Sequence, residues 1–342
     1  MPPDASIGDK DNFVLIFAKS LLQVAAVLHI SLYVCPQTVI SSLSQAHDCF
    51  SLANHLAGSP EFRLSHCSRD GQAVQLPYAR IDVDGDLTLA ESADLLLLPA
   101  TGSDIARTLA DNQTLLDWLA PRPANQALGS LCSSAFLLAE AGQLDGGTAT
   151  THWALANQFR QRYPQVRLQV QYLHCQHQQR FTSGGAQAGI DLCLQLISQH
   201  AGPWLAEQVA AALVVDRQRG QQTRFQPLLP TPRQDDPALL DLLRWLQRRH
   251  AESIDLEMLA ARLHCSTRTL LRRFKAATGL TPNDYLQRLR IVAAQSALLQ
   301  PQQSLEQIAL SVGYQDRATF SRLFKQLCGE TPGAYRRRVL AP

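Results

Sequence analysis

One stretch near the end of this 342-residue chain is written twice. The first copy runs LEMLAARLHCSTRTLLRRFKAATGLTPNDYLQRLR from Leu256 to Arg290. The second runs LEQIALSVGYQDRATFSRLFKQLCGETPGAYRRRV from Leu305 to Val339. Leu256 matches Leu305, Phe274 matches Phe324, Pro282 matches Pro332 and Tyr285 matches Tyr335. The offset steps from 49 to 50 near the turn, so the second copy carries one extra residue there. A repeat of this length restricts the fold more than any composition does, because both copies must form the same unit.

Each copy has the pattern of a helix-turn-helix. In the first, Ile254, Met258, Leu259 and Leu263 give a short amphipathic helix, broken at His264–Cys265, and Ser266 stands where an N-cap is needed. The next helix buries Leu270, Leu271 and Phe274 and presents Arg268, Arg272, Arg273 and Lys275. In the second, Ile308, Ala309 and Val312 precede Gly313, which suits a helix end. A helix over Gln315–Leu327 then turns Phe320, Leu323 and Phe324 inward, and Arg317, Ser321, Arg322 and Lys325 outward. Such a second helix fits the major groove, where arginine pairs bidentately with guanine. One long helix, roughly Pro282 to Leu299, joins the units, so they would reach major-groove segments about 34 Å apart on one side of the duplex.

These residues resemble the DNA-binding domain of the AraC/XylS family of bacterial transcription regulators. The resemblance is carried by TLLRRFK and TFSRLFK, by Thr281–Pro282 and Thr331–Pro332, and by Gly313–Tyr314, over roughly Asp236 to Arg338. It implies double-stranded promoter DNA and RNA polymerase as partners. It also implies base-facing positions at Arg268, Leu271 and Arg272 in the first unit, and at Arg317, Thr319, Ser321 and Arg322 in the second. Leu271 departs from the polar residue often found there and could touch only a thymine methyl. From Asp236 onward the chain holds 16 Lys and Arg against 9 Asp and Glu; the remainder holds 15 against 20. A basic end beside an acidic one suits DNA binding at one end and another task at the other.

The other task is foreshadowed by alternating strands and helices, which predict an α/β domain built on a parallel sheet. Strands are expected near Ile30–Val34, Phe62–Cys67, Ile81–Val83, Leu95–Leu98 and Ala127–Leu131, and helices over Ser42–Leu56, Ser103–Leu109, Leu115–Leu119 and Ser133–Ala141. The fully apolar Leu95–Leu98 should be central. Phe13–Val34 is long and apolar, but Lys19, Gln23 and His29 interrupt it and the preceding residues are acidic. A helix over Phe13–Val27 within an N-terminal extension is therefore expected, rather than a membrane span or a signal peptide. The eight cysteines have no paired spacing, as in a reduced cytoplasmic protein. His174-Cys175-Gln176-His177 alternates sides if it is a strand and lacks a second ligand cluster, so neither a metal nor a cofactor is expected.

Within that domain, Gly129-Ser130-Leu131-Cys132-Ser133-Ser134 reads as a strand ending at a cysteine that opens a helix. This is the geometry of a nucleophile elbow, with helix N–H groups expected to lower the thiol pKa. With Thr150-Thr151-His152-Trp153 and Thr182-Ser183-Gly184-Gly185 it resembles the class I glutamine amidotransferase-like (ThiJ/PfpI) fold, a flavodoxin-like sheet, and more narrowly the GlxA-type regulators. That resemblance covers about His29 to Arg219. It pairs Cys132 with His152, but the stretch Val39-Ile40-Ser41-Ser42-Leu43 lacks the carboxylate its enzymes place near the cysteine. The expectation is an inherited pocket reused to bind a small amino-acid-like or quaternary-ammonium effector, lined by Cys132, Ser133, His152, Trp153, Thr182 and Ser183. The alternative is a DNA-tethered cysteine enzyme. The expected layout is an extension to residue 28, a sensing and dimerising domain over 29–215, a proline-bearing linker over 216–235 and an all-α domain with two helix-turn-helix units over 236–342.

Overall fold

A computed structural model describes residues 26–217, 219–225, 227–230, 232 and 235–340. Most of the extension, including Phe13–Val27 up to residue 25, lies outside them. No helix among the described residues is long and apolar enough to cross a membrane. The chain divides into two compact units, with the boundary between Thr223 and Arg224.

The first unit is built on six strands: β1 (Leu28–Tyr33), β2 (Phe62–Cys67), β3 (Leu95–Leu98), β4 (Ala127–Ser130), β5 (His174–His177) and β6 (Arg180–Ser183), in the spatial order β2-β1-β3-β4-β6-β5. All pairings are parallel except β6 with β5, a tight antiparallel return at the edge. Alternation along the central strands sorts the core. Ile30, Leu32, Leu95 and Leu97 face α1 (Ile40–Ala57), α2 (Ala188–Ala201) and α3 (Pro203–Ala212). Tyr33, Leu96 and Leu98 face the opposite layer of five shorter helices, which brings in Phe136 and Phe159. The strand expected at Ile81–Val83 is instead a two-residue strand, Arg80–Ile81, that pairs only with Val74–Gln75. Asp82 and Asp84, which flank Val83, cannot enter an apolar layer without partners.

The second unit is helical: α4 (Pro237–Arg249), α5 (Leu256–Arg262), α6 (Thr267–Thr278), α7 (Pro282–Leu298), α8 (Leu305–Ser311), α9 (Arg317–Cys328) and α10 (Pro332–Leu340). Side chains mark the starts: Asp236, Asp255, Ser266, Thr281, Ser304 and Asp316 each accept a backbone N–H three residues on. Helix α7 serves both cores. Its first half gives Tyr285, Leu286 and Leu289 to the core holding Phe274, and its second half gives Ile291, Ala294 and Leu298 to the core holding Phe320 and Phe324. Gly313 follows α8 with φ of 91°, and a Cβ there would lie 2.7 Å from the Ala251 carbonyl oxygen. Beside it, Arg290 of α7 donates to the carbonyls of His250 and Glu252 and lies over the Tyr314 ring.

Candidate effector site and DNA-reading face

At the end of β4 the chain turns sharply. Gly129 lets the strand pack closely, since a Cβ there would come within 2.6 Å of a Leu97 terminal methyl. Cys132 has φ of 59°, a left-handed conformation that costs a residue with a side chain about 1–3 kcal/mol. Two hydroxyls hold it there: the Cys132 N–H donates to Ser183 Oγ at 3.3 Å, and Thr151 Oγ1 donates to the Cys132 carbonyl at 2.8 Å. A 3-10 turn over Cys132–Ser134 then enters the helix Ala135–Glu140, so the helix begins later than the expected Ser133. Thr182 Oγ1 accepts the Thr150 N–H at 2.9 Å, and Ser133 turns aside to accept the Thr101 N–H at 2.9 Å. Ser42, in the stretch that lacks a carboxylate, accepts the Ala100 N–H at 3.0 Å.

The thiol chemistry differs from the expected one. Cys132 is 9% exposed, and burial pushes its thiol up to about 11, outweighing the N–H and hydroxyl of Ser133, which pull it down. A thiolate forced out of water loses more than one turn of N–H groups returns. Nor does His152 reach it by a hydrogen bond. His152 caps the next 3-10 turn, its Nδ1 accepting the Ala154 N–H at 3.1 Å, and no hydrogen bond joins it to Cys132. Burial lowers the His152 pKa, which leaves the ring neutral at pH 7, with its proton on Nε2. A thiol pushed up to about 11 holds about 100-fold less thiolate at neutral pH than an unburied one. Iodoacetamide should therefore label Cys132 at least that much more slowly than an unfolded peptide at pH 7.5, with the rate climbing until pH passes about 11. Site-resolved mass spectrometry reads this out, and labelling at the peptide rate would sink it.

Of the expected pocket residues, Cys132, Thr182 and Ser183 thus share one buried cluster with Thr150 and Thr151. Ser133 is buried among Thr101 contacts, while His152 and Trp153 are half-exposed with their rings 5.0 Å apart. Sequence reasoning missed the tethering role of Thr151 and all of Gln222, whose buried side chain donates to the Thr151 carbonyl at 3.0 Å.

In the second unit, α6 exposes Arg268, Leu271, Arg272 and Lys275, spaced as one helical stripe. Leu271 was expected both inside and facing bases; at 38% exposure it belongs to the stripe. Arg273, expected outside, instead forms a two-pronged pair with Asp236 at 2.9 and 2.7 Å, bracing the start of α4. On α9, Arg317, Thr319, Arg322 and Lys325 are exposed and Ser321 is half-buried. Matching Phe324 to Phe274 sets Ser321 against Leu271, Arg322 against Arg272, and Ala318 against Arg268. Arg317 therefore stands one position, about 100° of helix, off the matched stripe. Among the described residues, Arg268, Arg272, Arg317 and Arg322 form no salt bridge, although Arg322 reaches Thr319 Oγ1 at 3.5 Å and, behind the Thr319 N–H, its charge helps hold the Asp316 carboxyl below the usual carboxylate range. The lysines at matched positions, Lys275 and Lys325, complete both stripes. Arg338, in the basic run that ends the second copy, pairs with Glu330 at 2.7 Å.

A helix-turn-helix domain family matches residues 259–338. The HTH-type transcriptional regulator CdhR of Pseudomonas aeruginosa is 32% identical over 274 residues, covering 79% of this chain and 80% of its own. GbdR of the same species, also an HTH-type transcriptional regulator, is 28% identical over 85% of this chain and 79% of its own. GlxA of Rhizobium meliloti is 29% identical over 87% of this chain and 92% of its own. With the doubled helix-turn-helix behind an α/β unit, and with CdhR matched over most of both chains, this chain belongs to the AraC/XylS family of transcription regulators, in its GlxA-type branch, and binds DNA.

Proposed function

We propose that this DNA-binding regulator is a sensor rather than an enzyme. In this reading its α/β part, over 29–215, takes up a small effector beside Cys132, Ser133, His152, Trp153, Thr182 and Ser183. The linker is 216–235 and the DNA-reading part 236–342. The observation that carries this is the buried thiol at Cys132, held protonated and bonded to no base. Nucleophilic catalysis needs a thiolate with a base in reach. The half-exposed Trp153 ring beside neutral His152 offers a face for an amino-acid-like or quaternary-ammonium cation. The protein acts in the cytoplasm as a homodimer that contacts RNA polymerase. An effector that binds one arrangement of the dimer more tightly shifts the spacing of its DNA-reading parts.

Genome-wide mapping of bound DNA with the intact protein tests the regulator, and the genes beside the peaks narrow the effector. Calorimetry with a panel of α-amino acids and trimethylammonium carboxylates tests the sensor. Binding lost in His152→Ala supports it. Turnover of any panel compound that vanishes in Cys132→Ala would replace it with the enzyme.

A further inference from the structure

Gln222 lies two residues before the boundary at which the DNA-binding unit begins, and it is 2% exposed. Its side chain is threaded into the α/β unit. Nε2 donates to the carbonyls of Val170 at 2.6 Å and Thr151 at 3.0 Å, and Oε1 accepts the Gly185 N–H at 2.9 Å. Its own backbone N–H donates to the Gln171 carbonyl at 2.9 Å. The socket is shaped for it: a Cβ on Gly184 would come within 2.6 Å of Gln222 Oε1. Gly185 is shared, since a Cβ there would lie 3.1 Å from His152 Cδ2 and 3.7 Å from Gln222 Oε1. Three residues upstream, Arg219 bonds both carboxylate oxygens of Asp191 and donates to the Gln187 carbonyl at 2.8 Å. The segment leaving the α/β unit is thus bolted down twice, and its second bolt touches both the loop that carries His152 and the Gly184–Gly185 loop packed against its ring.

We propose that Gln222 is a positioning residue of the effector site, supplied by the segment that leads to the DNA-binding unit, so that filling the site is felt in that segment through Gln222. This rests on the effector site lying at His152. Thr151 and Gly185 cannot shift without moving the acceptor and the donor that Gln222 satisfies. An unmet buried amide or carbonyl is costly, so the side chain and its segment must follow.

Hydrogen exchange on the full-length chain tests this, read by mass spectrometry over 184–186 and 219–225 with 40–57 as the internal control. His152→Ala should speed exchange in both segments at least five-fold and leave the control unchanged. Unchanged exchange at 219–225 in that variant overturns the proposal, whether or not any effector is known. Among the panel compounds above, one that binds wild type should slow exchange in both segments. Its affinity should fall at least ten-fold in Gln222→Met, which fills the volume without polar atoms. A compound that protects 184–186 but leaves 219–225 unchanged removes Gln222 from the site while the sensor reading stands. Failure of every compound to bind removes the sensor reading and with it the effector-site role of Gln222, whereas unchanged exchange in His152→Ala removes the coupling of Gln222 to His152 whatever binds.

Discussion

Replacing Arg272 or Arg322 with alanine is expected to weaken binding to the mapped operator by about 1–3 kcal/mol each, roughly 5- to 150-fold, if each pairs bidentately with a guanine. The two sit at matched positions on α6 and α9, exposed and in no salt bridge, so truncation should leave the fold alone and report on a DNA contact. Being on separate helices they should add, giving about 2–6 kcal/mol in the double variant. The loss should be confined to the operator, with binding to unrelated duplex falling little. Lys275→Ala and Lys325→Ala should instead weaken all sequences alike and reduce the salt dependence by about one counterion each. Titrations of operator and scrambled duplex at two salt concentrations separate these cases. Operator affinity unchanged in both arginine variants would take α6 and α9 out of the groove.

The largest stability loss is expected at Gly313. Alanine there meets a positive φ and a backbone oxygen 2.7 Å away that cannot swing aside. Together these should cost about 2–4 kcal/mol. For a unit of this size that lowers the melting midpoint by about 10 °C. Gly279 and Gly329 give the contrast: both end recognition helices at positive φ, with open space where a Cβ would go. Alanine at either should cost only about 1 kcal/mol. Calorimetry of the full chain reads this as the transition that operator DNA raises. Equal losses at Gly313 and Gly279 would show that the Ala251 contact is wrong.

What could be read from the chain beforehand follows from how local each determinant is. The second unit was legible because its pattern is short-range and stated twice. Ser266 caps α6 as expected, and the predicted Pro282–Leu299 helix ends one residue early. Leu95–Leu98 was legible as central because four leucines in a row can be covered only from both faces. Arg273 misled because its partner, Asp236, is 37 residues away and nothing in the stripe marks it. The Cys132 thiol misled for a similar reason. The elbow is local and was found, but its pKa is set by burial under distant segments, which outweighs the turn. Gln222 gave no signal at all, since one glutamine among several in a polar stretch shows neither period nor motif until its socket is assembled.

The sharing of α7 between two cores, clamped by Arg290 and Gly313, has a consequence for the operator. The two recognition helices belong to one block with no joint between them. Inserting one base pair between the two half-motifs turns the second by about 35° around the duplex axis. This protein has no internal freedom to follow that turn, so the DNA must twist or the second helix must let go. Rotational phase within one chain's site is thus fixed by protein packing, so that any tuning of spacing must act outside this block.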